Sequence, residues 1–128
     1  MRKVIHTEKA PKAVGPYSQA ISTGQLLFTA GQVGIDPRMG KLVEGGIQEQ
    51  TRQVMENLKA VLTEARTDFS KVVKTTVFLQ DMKTFADFNQ VYGGYFPSEP
   101  PARSTFQVGA LPLGALVEIE MVALLSVD

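Results

Sequence analysis

The chain has 128 residues, of which 44% are hydrophobic, and its 13 basic and 13 acidic residues leave no net charge. A nucleic-acid-binding protein would show a basic excess or a basic stripe, and this sequence has neither. The chain has no cysteine and one histidine, His6, which excludes disulfides and thiol nucleophiles and argues against a metal site or a Ser-His-Asp triad. The length is that of one domain, and we expect residues 1–128 to form a single domain.

The first half of the chain predicts three strands followed by a long helix. Residues 2–6 alternate enough for a short strand, and 17–23 and 25–30 form two more around a turn. Gly31 to Gly34 break the strand pattern. From Ile47 the apolar residues follow helical spacing, which predicts a helix over 47–66.

The second half predicts a strand, a helix and two more strands. Residues 72–79 are rich in Val, Thr and Phe and form a strand. The second helix begins at Thr84, which we expect to cap it in a weak capping box with Asp87. Residues 103–108 and 115–125 are the last two strands.

The order of elements, β-β-β-α-β-α-β-β, predicts an α+β fold with two helices on one face of a mixed sheet. The other face of that sheet needs a cover, and a second copy of the chain is the simplest one, so we expect a homo-oligomer. The N-terminal segment lacks the apolar core of a signal peptide, and no apolar run reaches membrane-spanning length. We therefore expect a cytoplasmic protein.

Arg103 is the first candidate for chemistry. It follows Pro100-Pro101 and begins a strand, so its backbone is stiffly placed. A guanidinium binds a planar carboxylate through two parallel hydrogen bonds, which a lysine cannot reproduce. A surface ion pair is the ordinary alternative for an arginine.

Glu118 and Glu120 lie at i and i+2 in an otherwise apolar strand, so their side chains point to the same face. Two carboxylates that close repel each other, which raises the pKa of at least one. We expect one to orient a water at a site and the other to serve the structure. With Arg103 they indicate a site for a small carboxylic acid that reacts with water.

Three further residues have both a functional and a structural interpretation. Tyr17 follows Gly15-Pro16 and either donates a hydrogen bond at a site or fills the core. Gly31 ends a strand and either exposes its backbone to a ligand or makes a turn. Asn89 on the second helix either lines a cleft or faces water.

Six stretches spread in order along the whole chain form a combined pattern. They are Gly15-Pro16-Tyr17-Ser18-Gln19-Ala20, Ala30-Gly31-Gln32, Gln50-Thr51 with Asn57-Leu58, Val73-Lys74-Thr75-Thr76-Val77-Phe78-Leu79, Pro101-Ala102-Arg103-Ser104-Thr105 and Val117-Glu118-Ile119-Glu120. In this pattern the chain resembles the reactive intermediate deaminase family, also called the Rid or YjgF family. The segment around Arg103 resembles the branch of active deaminases rather than the branches that lack this arginine.

The resemblance implies a chorismate-mutase-like α+β fold that assembles as a homotrimer with its sites between subunits. It implies hydrolysis of reactive 2-imino acids and their enamine tautomers, such as 2-iminobutanoate and 2-iminopropanoate, to 2-keto acids and ammonia. These intermediates leave pyridoxal-phosphate-dependent dehydratases, as in isoleucine biosynthesis, so the role implied is control of metabolite damage. No cofactor and no metal are implied.

The resemblance also implies roles for the site residues. Arg103 would hold the substrate carboxylate and Glu118 would orient or activate the attacking water. Tyr17 from the partner subunit, Gly31 through its backbone and Asn89 would complete the substrate site. Thr105 stands where many relatives carry cysteine, and Ala30 where they carry serine, so Thr105 is expected to contribute its backbone.

Three other functions remain open from the sequence. The first is a non-catalytic sensor that binds small keto acids through Arg103. The second is an endoribonuclease, against which the neutral charge and the single histidine argue. The third is an interaction role that uses exposed apolar surface. The sequence leaves open which imino acid is preferred and whether Glu118 acts as a base or as a hydrogen-bond acceptor only.

Overall fold

The computed structural model describes residues 1–126. Its main sheet has the strand order β1-β2-β3-β9-β7-β8, and β4 also pairs with β9. The strands β7 and β8 run parallel and all other neighbours run antiparallel, so the sheet is mixed. A small hairpin, β5-β6, stands apart. The elements are β1 Lys3–Ile5, β2 Ala20–Ser22, β3 Leu26–Thr29, β4 Gln32–Val33, β5 Ile35–Asp36, β6 Lys41–Leu42, α1 Ile47–Glu64, β7 Val72–Leu79, α2 Phe85–Gly93, β8 Ala102–Gln107 and β9 Val117–Leu124.

Both helices cover one face of this sheet, as the sequence predicts. The buried residues of α1, among them Val54, Leu58 and Val61, meet the inward residues of β9, such as Ile119. Burying these side chains supplies most of the stability of the fold. The start of α1 is fixed by Glu49, whose Oε1 accepts a hydrogen bond from the N–H of Gly46 at 2.9 Å.

The opposite face, here called the open face, carries no helix. The cross-strand pairs Val4↔Ile21, Ile21↔Phe28 and Phe28↔Val122 place these four side chains in one row on it. Val4 is 52% exposed and Phe28 is 44% exposed. A face this apolar is typical of an interface.

Two predictions about the short strands differ from the structure. Residues 17–19 are not a strand, because the chain from Thr7 to Gln19 forms a loop held by the side chain of Gln19, which bonds to Thr7 and Pro11. Gln32–Val33 is a strand, because its backbone pairs with β9.

The predicted capping box at the second helix is wrong. Thr84 makes no side-chain cap, and its hydroxyl instead donates to the carbonyl of Asp81 at 2.8 Å. A 3₁₀ turn, Met82–Thr84, precedes α2 and is capped by Asp81. Within residues 1–126, no helix combines the length and the apolar character needed to cross a membrane.

Candidate active site

Arg103 lies on β8, at one edge of the sheet, and its side chain points toward α2. It pairs with Thr75 of β7, which is buried on the helix side. Its Nη1 donates a hydrogen bond to Oδ1 of Asn89 at 2.8 Å. The central carbon of its guanidinium also lies over three aromatic rings. The hydrogen bond to Asn89 and these rings together fix the orientation of the guanidinium. The distances to the ring centres are 5.2 Å for Phe85, 5.9 Å for Phe88 and 5.0 Å for Tyr92.

Arg103 has no acidic partner within the described residues 1–126, whose two ion pairs are His6 with Glu8 and Arg38 with Asp36. A guanidinium carries five N–H donors, and the bond to Asn89 uses one of them. The remaining donors of this half-buried cation are available to an anion from outside the protomer. Its planar fork fits a carboxylate.

Arg103 and Asn89 line a cleft of about 410 Å³ together with apolar residues that include Phe96, Pro100 and Pro101. The hydroxyl of Tyr92, which also lines this cleft, lies 2.7 Å from Oγ1 of Thr75. Burial raises the pKa of Tyr92, against the lowering effects of that hydrogen bond and of the Arg103 charge. The phenol is therefore neutral at physiological pH, and the cleft offers one charged group beside apolar walls.

Thr105 follows Arg103 by two residues, so its side chain points to the same face. Its hydroxyl is buried and has no hydrogen-bond partner within the part of the chain that the structure describes. Thr105 therefore places a buried hydroxyl, without a partner within residues 1–126, on the same face of β8 as Arg103.

Glu118 lies on β9, across from Val33 of β4 and Phe78 of β7. Its carboxyl group packs against the backbone of Gly31, where an added β-carbon would lie 2.8 Å from its Cδ. Gly31 therefore makes room for this carboxylate. Burial raises the pKa of Glu118, and the negative charge of Glu120 raises it further.

Tyr17 lies in a second cleft, of about 560 Å³, with Gly15, Phe28 and Ala30 among the lining residues. Phe28 belongs to the open face, so this cleft opens there. The hydroxyl of Tyr17 accepts a long hydrogen bond from the N–H of Val14 at 3.4 Å. Its side chain is 51% exposed, so it does not fill the core of the protomer.

The sheet separates these residues into two groups. Phe78 pairs with both Phe106 and Glu118, and the rings of Phe78 and Phe106 stack at 6.4 Å, so these three side chains share the open face. Arg103 precedes Phe106 by three residues and points the other way. One protomer thus brings together Arg103, Asn89 and Thr105, and separately Gly31 and Glu118, but it does not bring Arg103 to Glu118.

Sequence reasoning missed the aromatic platform beneath Arg103. Phe85, Phe88 and Tyr92 follow helical spacing in the sequence, which is the pattern of any helix packed on a core. A strand arginine next to a helix with three aromatic residues on one stripe is the signal that could have revealed it.

The structure is that of a small α+β protein with a guanidinium that has no acidic partner within residues 1–126 and whose geometry fits a carboxylate. The family model described as Endoribonuclease L-PSP matches residues 7–125. The mouse 2-iminobutanoate/2-iminopropanoate deaminase is 50% identical over 123 residues, which cover 96% of this chain and 91% of the mouse protein. The chain therefore belongs to the Rid family, also called YjgF, as the resemblance in its sequence indicated.

Solved structures of relatives share the fold over nearly the whole chain. The Rid protein YyfA of Yersinia pestis matches with a TM-score of 0.95 and 48% identity, covering 98% of this chain and 100% of that one. Escherichia coli TdcF, solved with bound serine, matches with a TM-score of 0.92 and 38% identity, covering 97% and 99%. The predicted fold class, two helices with one mixed sheet, is confirmed.

Proposed function

We propose that this chain hydrolyses 2-imino acids and their enamine tautomers, such as 2-iminobutanoate and 2-iminopropanoate, to 2-keto acids and ammonia. The observation that carries the proposal is the guanidinium of Arg103, which is oriented by Asn89 and by aromatic rings and has no acidic partner within residues 1–126. Support comes from the mouse relative, which is named for this activity. TdcF, solved with bound serine, holds a small molecule that carries a carboxylate.

The reaction needs little more than orientation. Arg103 binds the substrate carboxylate, and Glu118 accepts a hydrogen bond from a water and directs its oxygen to the imine carbon. The water oxygen bonds to the imine carbon, the carbon–nitrogen double bond becomes single, and one proton of the water goes to the nitrogen. The remaining hydroxyl proton then goes to the nitrogen as well, so that the carbonyl forms, the carbon–nitrogen bond breaks and ammonia leaves. Holding water and carbon in contact accounts for the rate enhancement. No cofactor or metal enters this scheme.

We propose that the site forms between subunits of a homotrimer, because Arg103 and Glu118 point to opposite faces of one sheet. Arg103 lies on an edge strand, so it can reach a neighbouring copy. The open face supplies the apolar surface for that contact, and on it lie Glu118 and the cleft of Tyr17. Tyr17, Gly31 and Glu118 of one copy would then meet Arg103, Asn89 and Thr105 of the next.

The other functions have less support. A sensor would use the same arginine, but it would not need Glu118, whose pKa is raised by burial beside Gly31. The endoribonuclease named in the family model would need a basic surface and an acid–base pair. The chain has no net charge, and His6 lies near Glu8 on the N-terminal segment, away from β8. We propose that the protein is cytoplasmic, because the imines that it would hydrolyse arise there.

The direct test measures the loss of 2-iminobutanoate, generated in place by an amino-acid oxidase and trapped as its semicarbazone. We expect the protein to lower the trapped imine in proportion to its concentration and to raise 2-oxobutanoate by the same amount. An unchanged semicarbazone yield at micromolar protein would contradict the deaminase and favour the sensor. Binding of 2-oxobutanoate would then be measured by calorimetry.

A further inference from the structure

Two buried amide side chains on α1 form hydrogen bonds to the backbone of segments that lie next to Glu118. Oε1 of Gln50 accepts a hydrogen bond from the N–H of Leu116 at 2.8 Å. Nδ2 of Asn57 donates to the carbonyls of Val33 at 3.1 Å and Ile35 at 2.9 Å. Gln50 is 6% exposed and Asn57 is 1% exposed. Removing either amide would therefore leave buried backbone groups without a hydrogen-bond partner, which costs free energy.

The backbone groups that these amides hold flank the Glu118 carboxylate on both sides. Leu116 lies two residues before Glu118, immediately before the start of β9, and Val33 lies two residues after Gly31. Val33 also pairs directly with Glu118 between β4 and β9. Each of the two segments that enclose the carboxylate is therefore tied to the same helix by one amide.

A close backbone contact shows how tightly the Gly31 segment is set on α1. A β-carbon added to Gly34 would lie 3.0 Å from the carbonyl oxygen of Gln50 and 3.1 Å from its Cα. Glycine allows this approach because it has no side chain. The depth at which the segment lies on α1 is thus fixed by contact as well as by hydrogen bonds.

We propose that Gln50 and Asn57 are positioning residues for the hydrolysis: they hold the Leu116–Glu118 and Gly31–Val33 segments so that the Glu118 carboxylate meets the attacking water. The inference rests on the proposed function and goes beyond it. Arg103 is held by other parts of the molecule, since its contacts are to Asn89 and the rings of α2. Carboxylate binding and water positioning therefore depend on separate supports.

This separation predicts a split between the two kinetic constants. Gln50→Met keeps the length of the side chain and removes the acceptor, and we expect kcat to fall about tenfold or more while KM stays within about twofold. A shift of a fraction of an ångström at the reacting groups suffices for such a loss. Gln50→Glu keeps an acceptor for Leu116, so we expect it to recover most of kcat.

The matched control is Val61→Ala, a buried position on the same helix that makes none of these hydrogen bonds. We expect it to lower the melting temperature at least as much as Gln50→Met and to leave kcat within twofold. Equal kcat in Gln50→Met and Val61→Ala would overturn the proposal. If Gln50→Met fails to fold, Asn57→Leu and Gly34→Ala replace it in the test. We expect each of them to lower kcat about tenfold or more with KM within about twofold, and a kcat equal to that of Val61→Ala would overturn the proposal.

A second readout does not need activity. Carboxyl-carbon NMR of the protein, with Glu118 assigned by Glu118→Gln, gives the pKa of Glu118 directly. Glu120 is the neighbouring charge on β9, and the facing residues Val33 and Phe78 carry none. We expect Gln50→Met to move this pKa toward the ordinary value for glutamate, and an unmoved pKa would overturn the positioning role. An inactive wild-type protein would overturn the proposed function and the kinetic part of this inference, and the titration would still decide separately whether Gln50 holds the Glu118 carboxylate in place.

Discussion

Arg103→Ala is expected to lower kcat/KM for 2-iminobutanoate by at least about 100-fold. A hydrogen bond to a charged group contributes about 1.5–3 kcal/mol and each 1.4 kcal/mol is tenfold in rate, so losing a two-bond clamp has an effect of this size. The fold should survive, because Arg103 lies on an edge strand and is half-buried. Circular dichroism and the molecular mass in solution check that it does.

Two matched variants separate the clamp from simple charge. Arg103→Lys keeps the positive charge and loses the planar fork, so we expect a large rise in KM with some remaining kcat. Arg38→Ala removes an exposed arginine whose partner is Asp36, and we expect wild-type kinetics from it. Turnover near the wild-type rate in Arg103→Ala would contradict the role given to Arg103.

Glu118→Gln is expected to lower kcat about 100-fold or more with little change in KM, because general-base positioning contributes about 10²–10⁴-fold. The same change should stabilise the protein at neutral pH. The pKa of Glu118 is raised by burial and then by Glu120, so the folded state disfavours the ionised form. Above the folded pKa that cost is present in full, and it disappears as the pH falls below the ordinary glutamate value.

The measurement is a melting temperature for both proteins at pH 8 and pH 4, together with the pH profile of kcat. We expect Glu118→Gln to melt higher at pH 8 and equally at pH 4, and wild-type kcat to decline on the acid side above the ordinary range of a glutamate. Glu120→Gln is the control, since it removes the repelling charge at an exposed position. Glu120→Gln should shift the acid side of the kcat profile to lower pH and leave the maximal kcat unchanged. Full activity in Glu118→Gln would contradict the mechanism.

The long elements of the fold follow from the sequence because their burial is regular. The helical spacing from Ile47 predicts α1, and the alternation along 115–125 predicts β9. The short strands do not follow, since β4 exists only through its pairing with β9. Tyr17 is a strand-forming residue type, but the amide of Gln19 holds residues 17–19 in a loop instead. Such tertiary bonds leave no local pattern.

The candidate site is predictable in its residues and not in its arrangement. Arg103 and Glu118 stand out because charged groups interrupt apolar or proline-rich strands. Their placement on opposite faces depends on β7, which lies between β8 and β9 and sets the register of both. No spacing within the chain encodes that register. The structure therefore adds that one protomer does not bring Arg103 and Glu118 together.

The central claim is that Arg103 of one copy and Glu118 of another act on the same substrate, and a mixed oligomer tests it most directly. Arg103→Ala and Glu118→Gln protomers, co-expressed in equal amounts with different tags, are isolated as mixed trimers of about 42 kDa, three times the 13.9 kDa of one chain. A mixed trimer of either composition has three interfaces, and about one in three of them pairs a native Arg103 with a native Glu118. The account predicts about a third of wild-type imine hydrolysis per protomer, and activity no higher than that of the two separate variants would contradict it.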